Sequence, residues 1–194
     1  MNTTLEYYNK NAEAFTADTA NVKFSALQND FISFIPDGGR IMDFGCGSGR
    51  DSLAFIKAGY EVVSVDGSEE MCKVAQKITG QPVIFSTFQD YIPDGKFDGV
   101  WACASLLHLT KNELPEVISK LCHCLTDGGI LYMSFKYGSY VGDRNGRFYT
   151  DMTEESMSEI MSAFPEMHLV VEKLTSDVRP GRENEKWLNV FYKK

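Results

Sequence analysis

The chain has 194 residues, of which 43% are hydrophobic and 24% charged, as is typical of a single soluble globular domain. Its formal net charge of −8 disfavours nucleic acid as a partner, because surfaces that bind phosphates are normally basic. There is no signal peptide and no apolar run of about 18 residues, so we expect no membrane span and a cytoplasmic location. The five cysteines favour reduced thiols, since they are odd in number and no export signal accompanies them.

Hydrophobic periodicity predicts an amphipathic helix at 22–34, preceded by a short aromatic helix at 4–15. Strands and helices then alternate. In chain order they are a strand at 40–44, a helix to Ala58, a strand at 61–66, a helix from Ser68 to Thr79, and strands at 82–86 and 97–103, followed by a helix at 111–125, a strand at 129–136 and a helix at 153–163. Such alternation predicts a parallel sheet with right-handed crossovers. Two further strands, at 167–175 and 186–192, are separated by no helical pattern and should form an antiparallel hairpin.

The most informative stretch is I-M-D-F-G-C-G-S-G-R-D at residues 41–51. A strand is followed by Gly45, Gly47 and Gly49 and then by a helical pattern. Glycines let the backbone approach a ligand, and free N–H groups at a helix start point into the site. The spacing differs from the dinucleotide fingerprint G-x-G-x-x-G. Asp43, just before the loop, would repel a pyrophosphate but suits an ammonium group, which argues against an NAD-dependent enzyme.

A second acid, Asp66, ends the strand E-V-V-S-V-D and lies 21 residues after Gly45. An acid at this place can accept both hydroxyls of an adenosine ribose. The combination D-F-G-C-G-S-G-R-D and V-V-S-V-D-G-S resembles the class I S-adenosylmethionine (SAM) dependent methyltransferases. The stretch F-D-G-V-W-A-C-A-S-L-L-H-L at 97–109 is similar to their fourth strand and the loop after it, and L-T-D-G-G-I-L-Y at 125–132 to the turn into their fifth. The resemblance covers nearly the whole chain and looks closest to the small bacterial tellurite-resistance-type members.

This resemblance implies a Rossmann-like α/β fold with a seven-stranded, mostly parallel sheet, helices on both faces and an antiparallel C-terminal hairpin. It implies one domain over 1–194, with a helical lid at 1–35 and substrate-side loops at 137–152 and 176–185. The implied activity is methyl transfer from SAM to a small acceptor, which leaves S-adenosylhomocysteine (SAH). We expect no nucleic-acid or membrane partner and a monomer or weak dimer. The alternative is a non-catalytic regulatory module that binds SAM or another nucleotide.

The resemblance also assigns cofactor contacts. Asp43 would balance the ammonium group of SAM or merely cap the turn. Asp66 would bind the ribose or cap the next helix, and Met71 would pack on adenine or belong to the core. Many relatives carry an acid where Thr87 stands, which leaves the adenine contact open. The implied cofactor residues are Asp43, Gly45, Cys46, Gly47, Gly49, Asp66, Gly67, Ser68, Met71, Thr87, Phe88, Gln89, Ala102 and Cys103.

His108 is the candidate general base, because it lies just beyond the fourth strand at the ligand edge. The alternative is a structural histidine. Tyr7 and Tyr8 are predicted to fold over the site, or else to pack against the domain. Cys103 is not expected to act as a nucleophile, because no activating base can be paired with it.

Four of the six arginines fall in two short non-periodic stretches: Arg144 and Arg147 after the fifth strand, and Arg179 and Arg182 between the last two strands. Both stretches should emerge at the carboxyl edge of the sheet, where ligands bind in α/β folds. These four arginines therefore predict a pocket for an anionic acceptor. The alternative is that they pair with nearby acids, namely Asp143, Asp151, Asp177, Glu183 and Glu185.

Overall fold

The computed structural model describes residues 3–19, 24–179 and 181–194. The helices are α1 (Thr3–Thr19), α2 (Ser25–Ile32), α3 (Arg50–Lys57), α4 (Glu69–Thr79), α5 (Leu114–Cys124) and α6 (Glu154–Met161). The strands are β1 (Arg40–Phe44), β2 (Glu61–Asp66), β3 (Val83–Phe85), β4 (Phe97–Ala102), β5 (Leu125–Lys136), β6 (Val141–Arg144), β7 (Arg147–Thr150), β8 (His168–Ser176) and β9 (Lys186–Lys193). A short 3₁₀ turn spans Leu106–His108. The predicted start of the second helix at residue 22 lies outside the described residues.

Seven of the strands form one sheet in the order β3-β2-β1-β4-β5-β9-β8. The pairs β1–β2, β1–β4, β2–β3 and β4–β5 are parallel. Strand β9 is antiparallel to both of its neighbours, β5 and β8. Strand β8 therefore runs in the direction of β5. The predicted fold class, with its antiparallel C-terminal hairpin, is confirmed.

Both faces of the sheet are covered by helices, because its strands carry apolar residues on both sides. In β5, Leu131 and Met133 belong to the cluster packed against α5 and α6, whereas Ile130 and Tyr132 face α2 and α3. All four are fully buried. Such continuous apolar runs are typical of the interior strands of a parallel sheet covered on both faces.

One difference from the sequence prediction concerns residues 137–152, which were predicted to be an irregular loop. They contain the two-stranded hairpin β6–β7, in register from Val141↔Thr150 to Arg144↔Arg147. Its two-residue turn is Asn145-Gly146, and both residues have positive φ, +51° and +79°. This is the geometry that Asn-Gly favours in tight hairpins. The Asn-Gly pair was therefore a hairpin signal that the prediction overlooked.

Helix α1 is longer than predicted and changes direction at Asn11, where φ is −118° and ψ 16°. It lies between α4 and the β6–β7 hairpin. Ser68 Oγ donates to Asn9 Oδ1 over 2.7 Å, and the backbone N–H of Phe148 donates to Thr4 Oγ1 over 3.0 Å. The helix thus bridges the two halves of the ligand edge. Across the described ranges, none of the helices combines the length and the apolar character that a bilayer crossing requires.

Candidate active site

A cavity of about 220 Å³ opens at the carboxyl edge of the parallel strands. The loops after β1, β2, β3 and β4 form one end of its wall, the β6–β7 hairpin and the β8–β9 connection form the other, and α1 lies between them. This is the edge at which open α/β sheets bind ligands. The cavity thus joins the predicted cofactor loop to the predicted substrate elements.

The three loop glycines have different structural reasons. A Cβ on Gly45 would lie 2.4 Å from Ser105 Cβ, and one on Gly49 would lie 2.9 Å from Thr79 Cγ2, so these two glycines permit close packing. Gly47 has φ +54°, and no protein atom lies within 4 Å of the position of its Cβ. Because Gly47 lines the cavity, a side chain there would point into free space that a ligand could occupy.

Asp66 fixes the shape of this loop. Its Oδ2 accepts the Gly47 N–H and its Oδ1 accepts the Ser68 N–H, each over 2.8 Å. Burial raises the pKa of the carboxyl, and the backbone donors oppose that shift. The carboxylate is 9% exposed and lines the cavity. It thus has oxygen lone pairs at the place predicted for the ribose.

Asp43 lies beneath the loop and not on the cavity wall. It is buried, and its Oδ2 accepts a 2.5 Å hydrogen bond from Ser52 Oγ, which in turn accepts from Ser64. Burial, and next the neighbouring charge of Asp51, raise the pKa of Asp43 well above its usual range. Direct contact between Asp43 and a ligand ammonium group stays a prediction.

Sequence reasoning missed Arg50 and Asp51, which both line the cavity. The Asp51 carboxylate accepts two bonds from Arg50, each 2.8 Å, together with one from Gln28 and one from the Trp101 indole. The Arg50 guanidinium also stacks 4.6 Å from the Phe24 ring centroid. The signal available was the G-S-G-R-D run itself, in which charged residues directly follow the glycines.

The residues predicted to contact adenine lie together on the cavity wall. Phe88 packs against Phe44 with ring centroids 4.7 Å apart. The Thr87 hydroxyl donates to Asp90 over 2.7 Å, as expected for a turn. The side-chain amide nitrogen of Gln89 donates to Glu113 over 2.9 Å. These contacts hold the three side chains in place on the cavity wall.

The loop after β4 carries Cys103 and His108. Burial raises the pKa of the Cys103 thiol to about 12, so the thiol is protonated at neutral pH and unsuited to act as a nucleophile. The next residue, Ala104, has φ +50°, which is uncommon for a residue with a side chain. Its N–H donates to Ser134 Oγ over 2.8 Å, and this bond holds the loop against β5.

His108 is held from both sides. Its Nδ1 lies 2.6 Å from the Phe148 carbonyl and its Nε2 lies 2.9 Å from the Tyr8 hydroxyl. A carbonyl can only accept, so Nδ1 carries the proton and Nε2 of the neutral ring accepts from Tyr8. Burial, and to a lesser degree Arg147, lower the pKa of His108 to about 4. His108 is therefore neutral at pH 7 and hydrogen-bonded through both nitrogens.

The four predicted substrate arginines have different surroundings. Arg144 makes two bonds to Asp151, of 2.9 and 2.6 Å, and Arg179 makes two to Asp177, of 2.9 and 2.5 Å. Arg182 is exposed and lies 4.0 Å from Glu185. In the part of the chain that the structure describes, Arg147 pairs with no carboxylate; its guanidinium lies against tyrosines.

The sequence prediction and the cavity wall overlap in part. The predicted residues that line the cavity are Gly45, Cys46, Gly47, Asp66, Gly67, Met71, Thr87, Phe88, Gln89, Cys103, His108, Tyr8, Arg147, Arg179 and Arg182. Those that the structure places off the wall are Asp43, Gly49, Ser68, Ala102, Tyr7 and Arg144.

Each of these six has a structural position that explains its absence from the wall. Asp43 and Ala102 are buried within their strands, and Gly49 packs on α4. Ser68 caps α4 by accepting the Met71 N–H. The other two are engaged at the hairpin: Tyr7 of α1 lies under Arg147, and Arg144 of β6 pairs with Asp151.

Comparisons with known proteins agree with this geometry. Residues 41–129 match the model of a methyltransferase domain family. A putative methyltransferase of Bacillus subtilis, YqeM, is 34% identical over 142 residues, which are 67% of this chain and 56% of that protein. This chain thus spans little more than half the length of that relative.

Two solved structures share the fold. The 1,6-didemethyltoxoflavin-N1-methyltransferase of Burkholderia thailandensis, solved with 1,6-didemethyltoxoflavin and SAH, has a TM-score of 0.74 and 19% identity, covering 98% of this chain and 84% of its own. TehB of Haemophilus influenzae has a TM-score of 0.74 and 15% identity, covering 93% and 65%. Residues 41–129 thus belong to a methyltransferase domain family, and the whole chain has the fold of the class I SAM-dependent methyltransferases.

Proposed function

We propose that the chain transfers a methyl group from SAM to a small, negatively charged acceptor. The observation that carries this proposal is the continuity of the cavity, which runs from Gly47 and Asp66 to the arginines and aromatic rings at its other end. A donor and an acceptor bound at the two ends of one cavity would meet at its middle.

The residues present fit the proposed cofactor. The open side of Gly47 provides room against the loop backbone. Asp66 offers carboxylate oxygens for two hydroxyl groups. Phe88 and Met71 offer apolar surface for a flat ring. The nearby Arg50 guanidinium is charge-compensated by Asp51, so its cost of burial is met before any ligand arrives.

When bound, SAM supplies a methyl group on a positively charged sulfur, already activated for displacement. The protein is then required mainly to align the reactants and exclude water. The loop after β4 is held in place by the bond between Ala104 N–H and Ser134 and by that between Ser105 Oγ and the Phe44 carbonyl, of 2.7 Å. These bonds make this part of the wall rigid.

The proposed charge of the acceptor rests on the cations of the second end. Arg147, Arg182 and Lys136 all line the cavity there. Lys136 pairs with Glu185, and Arg182 lies 4.0 Å from the same carboxylate, so Arg147 is the one of these three that no carboxylate of the described residues neutralises. An uncompensated guanidinium favours an anionic ligand.

Calorimetry with SAM, SAH and NAD tests the cofactor. We expect SAM and SAH to bind and NAD not to bind. SAM consumption should then be screened against a panel of carboxylic acids, phenols, thiols, metalloid oxyanions and amines, with turnover expected for an anionic member. Tight binding of NAD would overturn the proposal. Binding of SAM without consumption by any panel member would favour the non-catalytic regulatory module.

A further inference from the structure

The inference concerns Arg147 and deepens the proposed function, on which it rests. Arg147 follows the Asn145-Gly146 turn at the start of β7 and lines the cavity. We propose that its guanidinium binds a carboxylate group of the methyl acceptor, in a subsite lined by Tyr8 and Tyr149, with Tyr7 packed against the guanidinium.

The first support is the missing counter-charge. Arg147 Nε is the one buried side-chain polar atom among the described residues that has no hydrogen-bond partner. The polar contact that the guanidinium does make is a long one of 3.4 Å, from Nη1 to the Tyr8 hydroxyl. Arg147 is half-buried, and a cation that is partly removed from water without a counter-charge is costly. An anionic ligand would remove that cost.

The second support is the contrast with the arginines nearby. Asp151 neutralises Arg144, and Asp177 neutralises Arg179, each through two bonds. Both acids are nearly buried. The hairpin and the β8–β9 connection thus supply acids to these two arginines and leave Arg147 uncompensated. This difference separates a ligand-binding cation from structural ones.

The third support is the shape of the subsite. The Arg147 guanidinium carbon lies 4.5 Å from the Tyr7 ring centroid, 5.4 Å from Tyr149 and 5.7 Å from Tyr8. The three rings hold the planar Arg147 guanidinium in one orientation. This favours a planar ligand group that accepts two parallel hydrogen bonds. A carboxylate has that geometry.

The charge of the cavity also favours a carboxylate over a phosphate or sulfate. The acids Asp51 and Asp177 line the same cavity but are neutralised by Arg50 and Arg179, so these two arginines have no charge to spare for a ligand. A dianion would need more than one uncompensated guanidinium. Among the described residues that line the cavity, Arg147 is the arginine that pairs with no carboxylate, which matches a singly charged carboxylate.

The proposed subsite adjoins the loop after β4. Tyr8 Oη lies 2.9 Å from His108 Nε2 on the loop after β4 and 3.4 Å from Arg147 Nη1. One phenol oxygen therefore spans the gap between that loop and the guanidinium. The acceptor atom should lie only a few bonds from the carboxylate, so the acceptor is a small carboxylic acid.

The test uses benzoate and its neutral analogue benzamide as probes, with the full chain saturated with SAH. Calorimetry should show benzoate binding at least about tenfold more tightly than benzamide, because a hydrogen bond to a charged group contributes about 1.5–3 kcal/mol. Arg147→Gln should remove this preference while SAH affinity stays unchanged. Arg147→Lys keeps the charge but loses the fork, and should give an intermediate preference.

The matched control is Arg40→Gln. Arg40 also stacks on an aromatic ring, 4.5 Å from the Phe97 centroid, but it lies at the opposite edge of the sheet and pairs with Glu61. The Arg40→Gln variant should bind benzoate as tightly as the wild type does. Equal binding of benzoate and benzamide by the wild type, or an unchanged preference in folded Arg147→Gln, would overturn the proposal. If Arg147→Gln fails to fold, an unchanged preference in Arg147→Lys is the overturning result. Failure of the wild type to bind SAH would instead contradict the proposed function.

Discussion

Replacing Asp66 by Asn is expected to weaken SAH binding at least tenfold while the chain still folds. The carboxylate accepts the N–H groups of Gly47 and Ser68, each over 2.8 Å, and the residue lines the cavity. The Asn side chain has one oxygen in place of two. Its NH₂ group would face the N–H of Gly47 or of Ser68, and it could not accept a hydrogen bond from a ribose hydroxyl.

The magnitude follows from the number of bonds lost. Each charge-assisted bond to a ribose hydroxyl is worth about 1.5–3 kcal/mol, and a factor of ten in affinity corresponds to about 1.4 kcal/mol. Losing even one bond therefore accounts for a tenfold change. The effect on stability should be smaller. Burial raises the pKa of this carboxyl, which means that the charged form is destabilised in the folded state. Removing the charge therefore offsets part of the free-energy cost of the backbone N–H that loses its acceptor.

The assay is calorimetric titration with SAH alongside thermal unfolding. Asp98→Asn is the matched control, because Asp98 also accepts a backbone N–H, that of Arg40 over 2.9 Å, at the opposite edge of the sheet. It should leave SAH affinity unchanged. Folded Asp66→Asn that binds SAH within a factor of two of the wild type would refute the assignment of Asp66 to the ribose.

Three further outcomes are expected. Gly47→Val should abolish SAH binding. The control is Gly38→Val, because Gly38 also has a positive φ and open space around its Cβ position but lies away from the cavity; it should lose only about 1–3 kcal/mol of stability. Equal SAH affinity in the two variants would mean that the glycine loop is only a turn. Because the pKa of His108 is lowered to about 4, the unfolded chain takes up the proton first as pH falls through about 6.5. His108 should therefore contribute about 2 kcal/mol less to the free energy of unfolding at pH 5 than at pH 7.5. Denaturant unfolding measures this as the pH-dependent difference between the wild type and His108→Asn, which keeps a donor for the Phe148 carbonyl but does not titrate. This comparison cancels the opposite pH dependence of Asp43, whose pKa is raised by burial, and a difference that is the same at both pH values would contradict the prediction. Tyr8→Phe removes the hydrogen-bond donor to His108 Nε2 and should speed amide hydrogen exchange in α1. SAH affinity should not change. Unaltered exchange would show that this hydrogen bond does not hold the helix.

The sequence predicted the sheet well because its signals are local. Apolar runs, glycines and caps identify strands and helix ends within a few residues, and parallel strands necessarily bring their carboxyl ends together. Gly47 and Asp66 could therefore be placed on the cavity wall before any coordinates. The β6–β7 hairpin had a local signal as well, in Asn145-Gly146, but its strands are short and weakly alternating.

The partners of individual side chains had no such signal. Asp51 is bound by Gln28 and Trp101, which lie 23 and 50 residues away in the chain. Arg144 and Arg147 look equivalent in sequence, yet one pairs with a buried acid and the other does not. Whether a charge is compensated depends on which segments the fold brings together, and that is decided by tertiary packing.

The placement of β9 has a consequence for how the molecule assembles. This strand enters between β5 and β8, so β5 cannot acquire its second neighbour until residues 186–193 have been synthesised. Pairings of such long sequence separation form slowly, since the intervening chain must lose its freedom first. Trp187 and Asn189 of β9 also line the cavity. During synthesis, the glycine-loop end of the cavity can form early, whereas the end proposed for the acceptor is completed last.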